Sequence, residues 1–253
     1  MPGDNAEASG IDSEIFERPA ARRRFVRSMF DGIAGTYDLL NHLLSAGFDI
    51  RWRRQAVDLL APEPGQRILD LATGTGDLGL VAARTGARIV GADLSVPMLR
   101  RGLRKVTSES PPRITFLCGD AENLAFPDQS FDGLTIGFGV RNFGDLEAGL
   151  SEMGRILRPG GRVVVLEFSR PTMLGLRQLY GFYFRYLLPR IGRFVSGDAE
   201  AYHYLYESVM RFPEGDAFLQ KLTTAGFCSV AQTRLTAGIA TLYTGLKSAA
   251  EPA

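Results

Sequence analysis

Histidine and cysteine are nearly missing from this chain of 253 residues, with two of each: His42 and His203, Cys118 and Cys228. Two distant cysteines cannot build a disulfide framework, and so small a stock of soft ligands argues against a zinc or iron–sulfur centre. No metal site is therefore expected. The usual nucleophiles and acid–base groups are withdrawn as well, so any chemistry has to come from elsewhere. An excess of one charge is also lacking, with 29 Lys+Arg against 28 Asp+Glu. A dedicated nucleic-acid binder would show a basic surplus, so no nucleic-acid partner is expected. No apolar run approaches the roughly 20 residues that cross a bilayer. What is present suits a folded protein: 45% hydrophobic and 23% charged residues, over a length that fits one large domain.

Residues 1–24 begin polar and acidic and carry no periodicity, which predicts a mobile tail. Arg22-Arg23-Arg24-Phe25-Val26 has the start of a twin-arginine export signal. No apolar core or cleavage site follows; the next stretch contains Asp31 and Asp38 and reads as folded protein, and the expected compartment is the cytoplasm. From Phe25 the apolar spacing is helical, with Phe30, Ile33, Tyr37, Leu40 and Leu44 in steps of three and four. That predicts an N-terminal helical cap over 25–62, broken at Pro62-Glu63-Pro64-Gly65. Beyond it, strand candidates (Arg67–Ala72, Arg88–Asp93, Ile114–Gly119, Asp132–Ile136, Arg162–Phe168) alternate with helical segments. One such helix runs through Leu146, Leu150, Met153 and Leu157, with Asp145 as its N-cap and Arg158-Pro159-Gly160-Gly161 closing it. Such alternation means an α/β fold with a mostly parallel sheet covered on both faces. Ser229–Arg234 and Ile239–Leu246 are joined by only four residues, which allows antiparallel pairing alone. One domain over 25–247 is expected, with a helical insertion at 170–212 and a tail at 248–253.

Gly74-Thr75-Gly76-Asp77-Leu78-Gly79 matches G-x-G-x-x-G after a strand and before a helix. Main-chain N–H groups can approach a ligand there, and Asp93 at the next strand end can accept both ribose hydroxyls. By itself this is a dinucleotide fingerprint, and an NAD-dependent oxidoreductase is the competing class. Three details favour S-adenosylmethionine. Asp70 inside the strand-to-turn segment offers an anion to the ammonium group of a methionine moiety. Thr75 and Asp77 crowd the turn, and Asp77 would repel a pyrophosphate. Asp120, ending the third strand, can accept from an adenine amino group. The alternative is that Asp93 and Asp120 are ordinary capping residues. The terminal antiparallel pair also matches the methyltransferase variant of the doubly wound fold.

The sequence resembles the ubiquinone/menaquinone biosynthesis C-methyltransferases from about Met29 to Lys247. The likeness is carried by Tyr37-Asp38-Leu39-Leu40-Asn41, Gly47-Phe48-Asp49-Ile50-Arg51-Trp52, Gly137-Phe138-Gly139-Val140-Arg141-Asn142 and Leu166-Glu167-Phe168-Ser169-Arg170-Pro171. Tyr204-Leu205-Tyr206-Glu207-Ser208 and Leu235-Thr236-Ala237-Gly238-Ile239 complete it. The resemblance implies the seven-stranded class I methyltransferase fold with its last strand antiparallel. It implies Thr75, Asp93, Asp120 and Ala121 as cofactor-binding positions, with a backbone contact at Gly137, where some relatives have serine. Many members carry histidine where this chain has Asp49, so a mechanism that requires an imidazole at that position does not carry over.

The resemblance further implies methyl transfer to a ring carbon of a prenylated quinol, demethylmenaquinol by family prevalence, with the benzoquinol step of ubiquinone biosynthesis, both steps, or another small-molecule methylation as the alternatives. Ionising a phenol of pKa near 10 at pH 7 costs roughly 4 kcal/mol. A fixed cation beside the oxygen offsets this, and Arg141 is the candidate; the bland reading is a bridge to a surface carboxylate. Glu167 lies at the ligand-binding edge, with helix capping or arginine pairing as alternatives. Tyr37 and Asp49 lie in the helical cap, a candidate lid, against core packing and capping. Asn142 reads as a turn residue, and Trp52 and His203 as packing. Finally, 170–197 holds five arginines and no acidic residue, interleaved with aromatics. It is a candidate for peripheral membrane contact at the inner face, against a buried helical cover with arginines facing water.

Overall fold

The computed structural model describes residues 13–45, 47–106, 114–171 and 199–249, together with Gly175 and Gln178. Helices α1 (Pro19–Ile33), α2 (Tyr37–Leu44) and α3 (Phe48–Leu60) precede the sheet. The chain then alternates through β1 (Arg67–Leu71), α4 (Asp77–Ala83), β2 (Arg88–Asp93), α5 (Val96–Lys105), β3 (Ile114–Cys118), β4 (Phe131–Gly137), α6 (Leu146–Ile156) and β5 (Leu157–Phe168). Helices α7 (Ala199–Arg211) and α8 (Asp216–Thr224) lead to β6 (Phe227–Leu235) and β7 (Ala240–Lys247).

The seven strands lie in the order β3-β2-β1-β4-β5-β7-β6. β1 through β5 pair in parallel, and β7 runs antiparallel to both β5 and β6. This is the α/β architecture expected from the alternation. Every strand candidate falls within two residues of its observed bounds, except that β5 starts at Leu157, five residues before its candidate. Along β1, Leu69 and Leu71 enter one core cluster and Ile68 the other, as the two-residue strand period requires. Helices α6 and α8 cover the first face, while α3 and α4 cover the second. The Asp145 Oδ1 atom accepts from Ala148 N–H at 2.9 Å and caps α6. That helix stops at Ile156, and Leu157 onward already belongs to β5, so the proline–glycine turn lies within the strand's span.

The N-terminal boundary is corrected. The expected tail reached residue 24, yet Ser13–Phe16 forms a 3-10 turn and α1 starts at Pro19. The order comes from partners distant in sequence. Phe16 stacks on Tyr204, with Arg22 and Arg211 over its ring. The expected insertion at 170–212 and the basic aromatic segment 170–197 lie largely outside the described residues; α7 is the described part. Residues 1–12 and 250–253 also lie outside them. Among the described residues, no helix is long and apolar enough to cross a membrane.

Candidate active site

The glycine loop leaves β1 at Ala72 and enters α4 at Asp77. Gly76 has φ +83°, and a Cβ there would sit 2.6 Å from the Phe116 ring, so both backbone and space require glycine. A Cβ on Gly79 would come within 2.9 Å of Asp70 Oδ2. Its absence lets the Gly79 N–H reach that oxygen at 2.9 Å.

Asp70 is therefore directed differently from the expectation. Its carboxylate is buried, and it accepts from Thr73 Oγ1 (2.5 Å), Gly79 N–H and Thr135 Oγ1 (2.9 Å). It ties the loop to β4 and α4. Burial pushes its pKa up to about 6, against the pull of those three donors. The side chain projects to the α4 face of the sheet, because Asp70 shares the parity of Ile68 in β1.

Asp93, at the end of β2, accepts from Gly74 N–H and Ser95 N–H, both at 2.8 Å. Burial raises its pKa despite these bonds. Asp120 Oδ1 accepts from Glu122 N–H at 3.0 Å. Both residues thus make the turn-capping bonds of the alternative reading. Both also line one cavity with Ala121, Gly119, Ser95 and Asn142, so capping and ligand-facing positions coincide. Helix α1 supplies the remaining wall through Arg23, Val26, Arg27 and Phe30. Arg23 Nη1 donates to Asp120 Oδ2 (3.3 Å) and Glu122 Oε2 (3.0 Å), and Ser95 Oγ donates to Asp31 Oδ1 at 2.5 Å. Asn142 Oδ1 is buried without a protein hydrogen-bond partner in this wall.

A smaller pocket shares Ala72 with the first and is lined by Tyr37, Arg53, Asp70, Thr73, Thr75, Asp77, Leu78 and Gly137. Thr75 Oγ1 donates to Asp38 Oδ1 (2.5 Å) and accepts from Lys105 Nζ (2.8 Å), which also reaches Asp77 Oδ1 at 2.6 Å. Burial pushes Asp38 up, but Lys105 and Thr75 outweigh it and hold its pKa below the usual range. Tyr37 stands over Gly74, and burial raises its phenol pKa while Asn41, Arg53 and Arg141 act against the rise.

Arg141 and Glu167 meet at the end of the fourth and fifth strands. The guanidinium Nη1 donates to Glu167 Oε1 and to Phe138 O, each at 2.6 Å, and Nε reaches Ser208 Oγ at 3.3 Å. Arg141 is 8% exposed and Glu167 0%, so the pair is a buried one and not a surface bridge. The Arg141 guanidinium lies 5.4 Å from the Phe168 ring centroid; Phe168 stacks on Phe138 at 4.4 Å, and Trp52 contacts both.

Asp49 joins a second buried cluster. Its carboxylate accepts from Ser45 Oγ at 2.7 Å and from Arg53 Nη1, and lies 2.8 Å from His42 Nδ1. Burial pushes its pKa up, but Ser45, Arg53 and His42 outweigh it and hold it low. An imidazole, that of the half-exposed His42, thus stands beside position 49. Sequence reasoning missed His42, Arg53, Arg23 and Lys105. The Asp49–Arg53 spacing of four is a helix-pair signal that could have found one of them; the other contacts cross between elements.

The fold, with carboxylates at the ends of β2 and β3 around a glycine turn, defines a class I S-adenosylmethionine-dependent methyltransferase. The residues present fit that cofactor: Asp93 and Asp120 line one cavity with Ala121, Asp93 has lone pairs left for hydroxyls, and Asn142 in the same lining offers an orphaned acceptor. A model of the ubiE/COQ5 methyltransferase family matches residues 18–247, and the chain belongs to that family. It is 49% identical over 219 residues to a demethylmenaquinone methyltransferase of Thermus thermophilus, covering 86% of this chain and 99% of the relative. It is 47% identical over 226 residues to the ubiquinone/menaquinone biosynthesis C-methyltransferase UbiE of Geotalea daltonii, covering 88% and 96%. Among solved structures, a methyltransferase of Thermotoga maritima described as a possible histamine N-methyltransferase superposes with TM-score 0.63. That match has 22% identity over 87% of this chain and 99% of the other, and shows the shared fold.

Proposed function

We propose that this chain methylates a ring carbon of a prenylated quinol in respiratory quinone biosynthesis, with demethylmenaquinol as the acceptor. The observation that carries the reading is Arg141: a buried guanidinium, fixed on two sides, beside the Phe168–Phe138–Trp52 wall. When bound, S-adenosylmethionine supplies an electrophilic methyl group. The acceptor must therefore be electron-rich, and Arg141 favours the ionised quinol oxygen that pushes charge onto the ring. Glu167 positions Arg141 and keeps it in one orientation. Tyr37, over the glycine loop, helps exclude water, which strengthens the electrostatics inside. Asp93, Asp120, Ala121 and the Gly74–Gly76 turn hold the adenosyl part, and Thr75 and Gly137 line the pocket beside it. Asp49 holds Arg53 and His42 in the helical cap.

Reduced short-chain demethylmenaquinol incubated with enzyme and S-adenosylmethionine should gain one methyl group by mass spectrometry. Methylation of neither a naphthoquinol nor a benzoquinol would overturn the reading. The benzoquinol stays as a second acceptor because the Geotalea relative is named for both pathways. A polyprenyl acceptor resides in bilayers, so peripheral contact at the inner face of the membrane belongs to this proposal, and sedimentation with anionic vesicles tests it.

A further inference from the structure

S-adenosylmethionine ends in an amino acid, so its site has to meet an α-carboxylate as well as an ammonium group. Asp93, Asp120, Ala121, Thr75 and Gly137, the residues assigned to the cofactor, are acidic or neutral, and none of them answers the carboxylate. We propose that Arg53 does, and that it is the residue that recognises the intact amino-acid end of the cofactor.

The pocket beside the glycine loop is lined by Asp70 and Asp77, and among the described residues lining it Arg53 is the one cation. Arg53 comes from α3, not from the sheet, and is 6% exposed. One end of its guanidinium is anchored, with Nη1 donating to Asp49. The other end faces the start of α4, where Nη2 stands 3.8 Å from Asp77 Oδ2, past hydrogen-bond distance. Asp77 is already paired with Lys105 Nζ at 2.6 Å, and Asp49 also receives Ser45 and His42. Neither carboxylate therefore depends on Arg53 alone, and the outward edge can meet an anion. The Phe138 ring, 5.9 Å from the guanidinium carbon, keeps the site apolar on that side. A planar fork of N–H donors matches a carboxylate in geometry, and without it an anion entering this pocket would face the carboxylates of Asp70 and Asp77 with no cation among the described lining residues.

The assignment concerns the cofactor and is independent of which acceptor is methylated. Isothermal titration calorimetry of the full chain should use S-adenosylmethionine and decarboxylated S-adenosylmethionine, which keeps the sulfonium and the ammonium. The wild-type protein should bind the intact cofactor about 10–150-fold more tightly, as expected for one charge-assisted contact. Arg53→Met should lose that preference, weakening the intact cofactor by the same factor and the decarboxylated one by less than about threefold. Arg53→Lys should keep part of it. Equal wild-type affinity for both ligands would overturn the proposal, as would a parallel loss of both in Arg53→Met, the mark of a merely structural arginine. Should Arg53→Met fail to fold, the wild-type comparison and Arg53→Lys decide.

Discussion

Arg141 and Glu167 show how two polar residues persist in a core. Each would carry a large desolvation cost alone, and each satisfies the other through Nη1–Oε1 at 2.6 Å. Removing one partner leaves a buried uncompensated charge. Arg141→Ala is expected to cost about 3–5 kcal/mol of stability by chemical denaturation, and Arg141→Ala/Glu167→Gln should recover part of it. In kinetics, Arg141→Ala should lower turnover at least about 100-fold while changing cofactor affinity far less, the signature of a lost transition-state contact. Asp70 carries a different signature. Its folded pKa of about 6 exceeds the usual carboxylate value, so between about pH 4 and 6 the folded state holds more proton than the unfolded one. Its contribution to stability is full below the unfolded value and is lost as pH rises through 6. The expected result is that stability measured at pH 5, 6 and 7 falls less steeply in Asp70→Asn than in the wild type.

Helices α1 to α3 act on the site from outside the sheet. Arg23 on Asp120, Asp31 on Ser95 and Asp38 on Thr75 each tie a helix to a loop at the carboxyl edge. The helical cap was legible from apolar spacing, but its start at Pro19 was not. Arg22 and Arg23 read as polar tail, and their partners Arg141 O and Glu122 lie far along the chain. Asp38→Ala should loosen this cover, seen as faster amide exchange in α2 and faster cofactor dissociation in stopped-flow measurements, with little change in the sheet. The N-cap of α6 was readable because it is local: an Asp three residues before its N–H donor. Asp145→Ala should cost about 1 kcal/mol by thermal denaturation.

At the scale of the whole molecule, the cofactor site is assembled from strand ends, the glycine loop and the N-terminal helices, so ligand binding is linked to global stability. S-adenosylhomocysteine at 100 times its Kd should add about 2.7 kcal/mol. For a domain of this size that is a rise in Tm of roughly 5–10 °C, while NADH should give none. The strand–helix alternation, the antiparallel terminal pair and the glycine loop followed from the sequence itself, while the order of the strands in the sheet came from the structure. Alternation of apolar segments, a four-residue connection and a tight turn are local constraints written in consecutive residues. The positions of Asp93 and Asp120 followed for the same reason: Asp93 ends β2 and Asp120 comes two residues after β3, so both lie at one edge and line one cavity. Only the tertiary structure decided that Glu167 holds Arg141, that Asp70 is turned inward to brace the loop, and that His42 stands beside Asp49. It alone put Arg53 in the pocket with Asp70 and Asp77. Those pairings depend on which helix lies over which strand end, and long-range packing sets that geometry where residue spacing cannot.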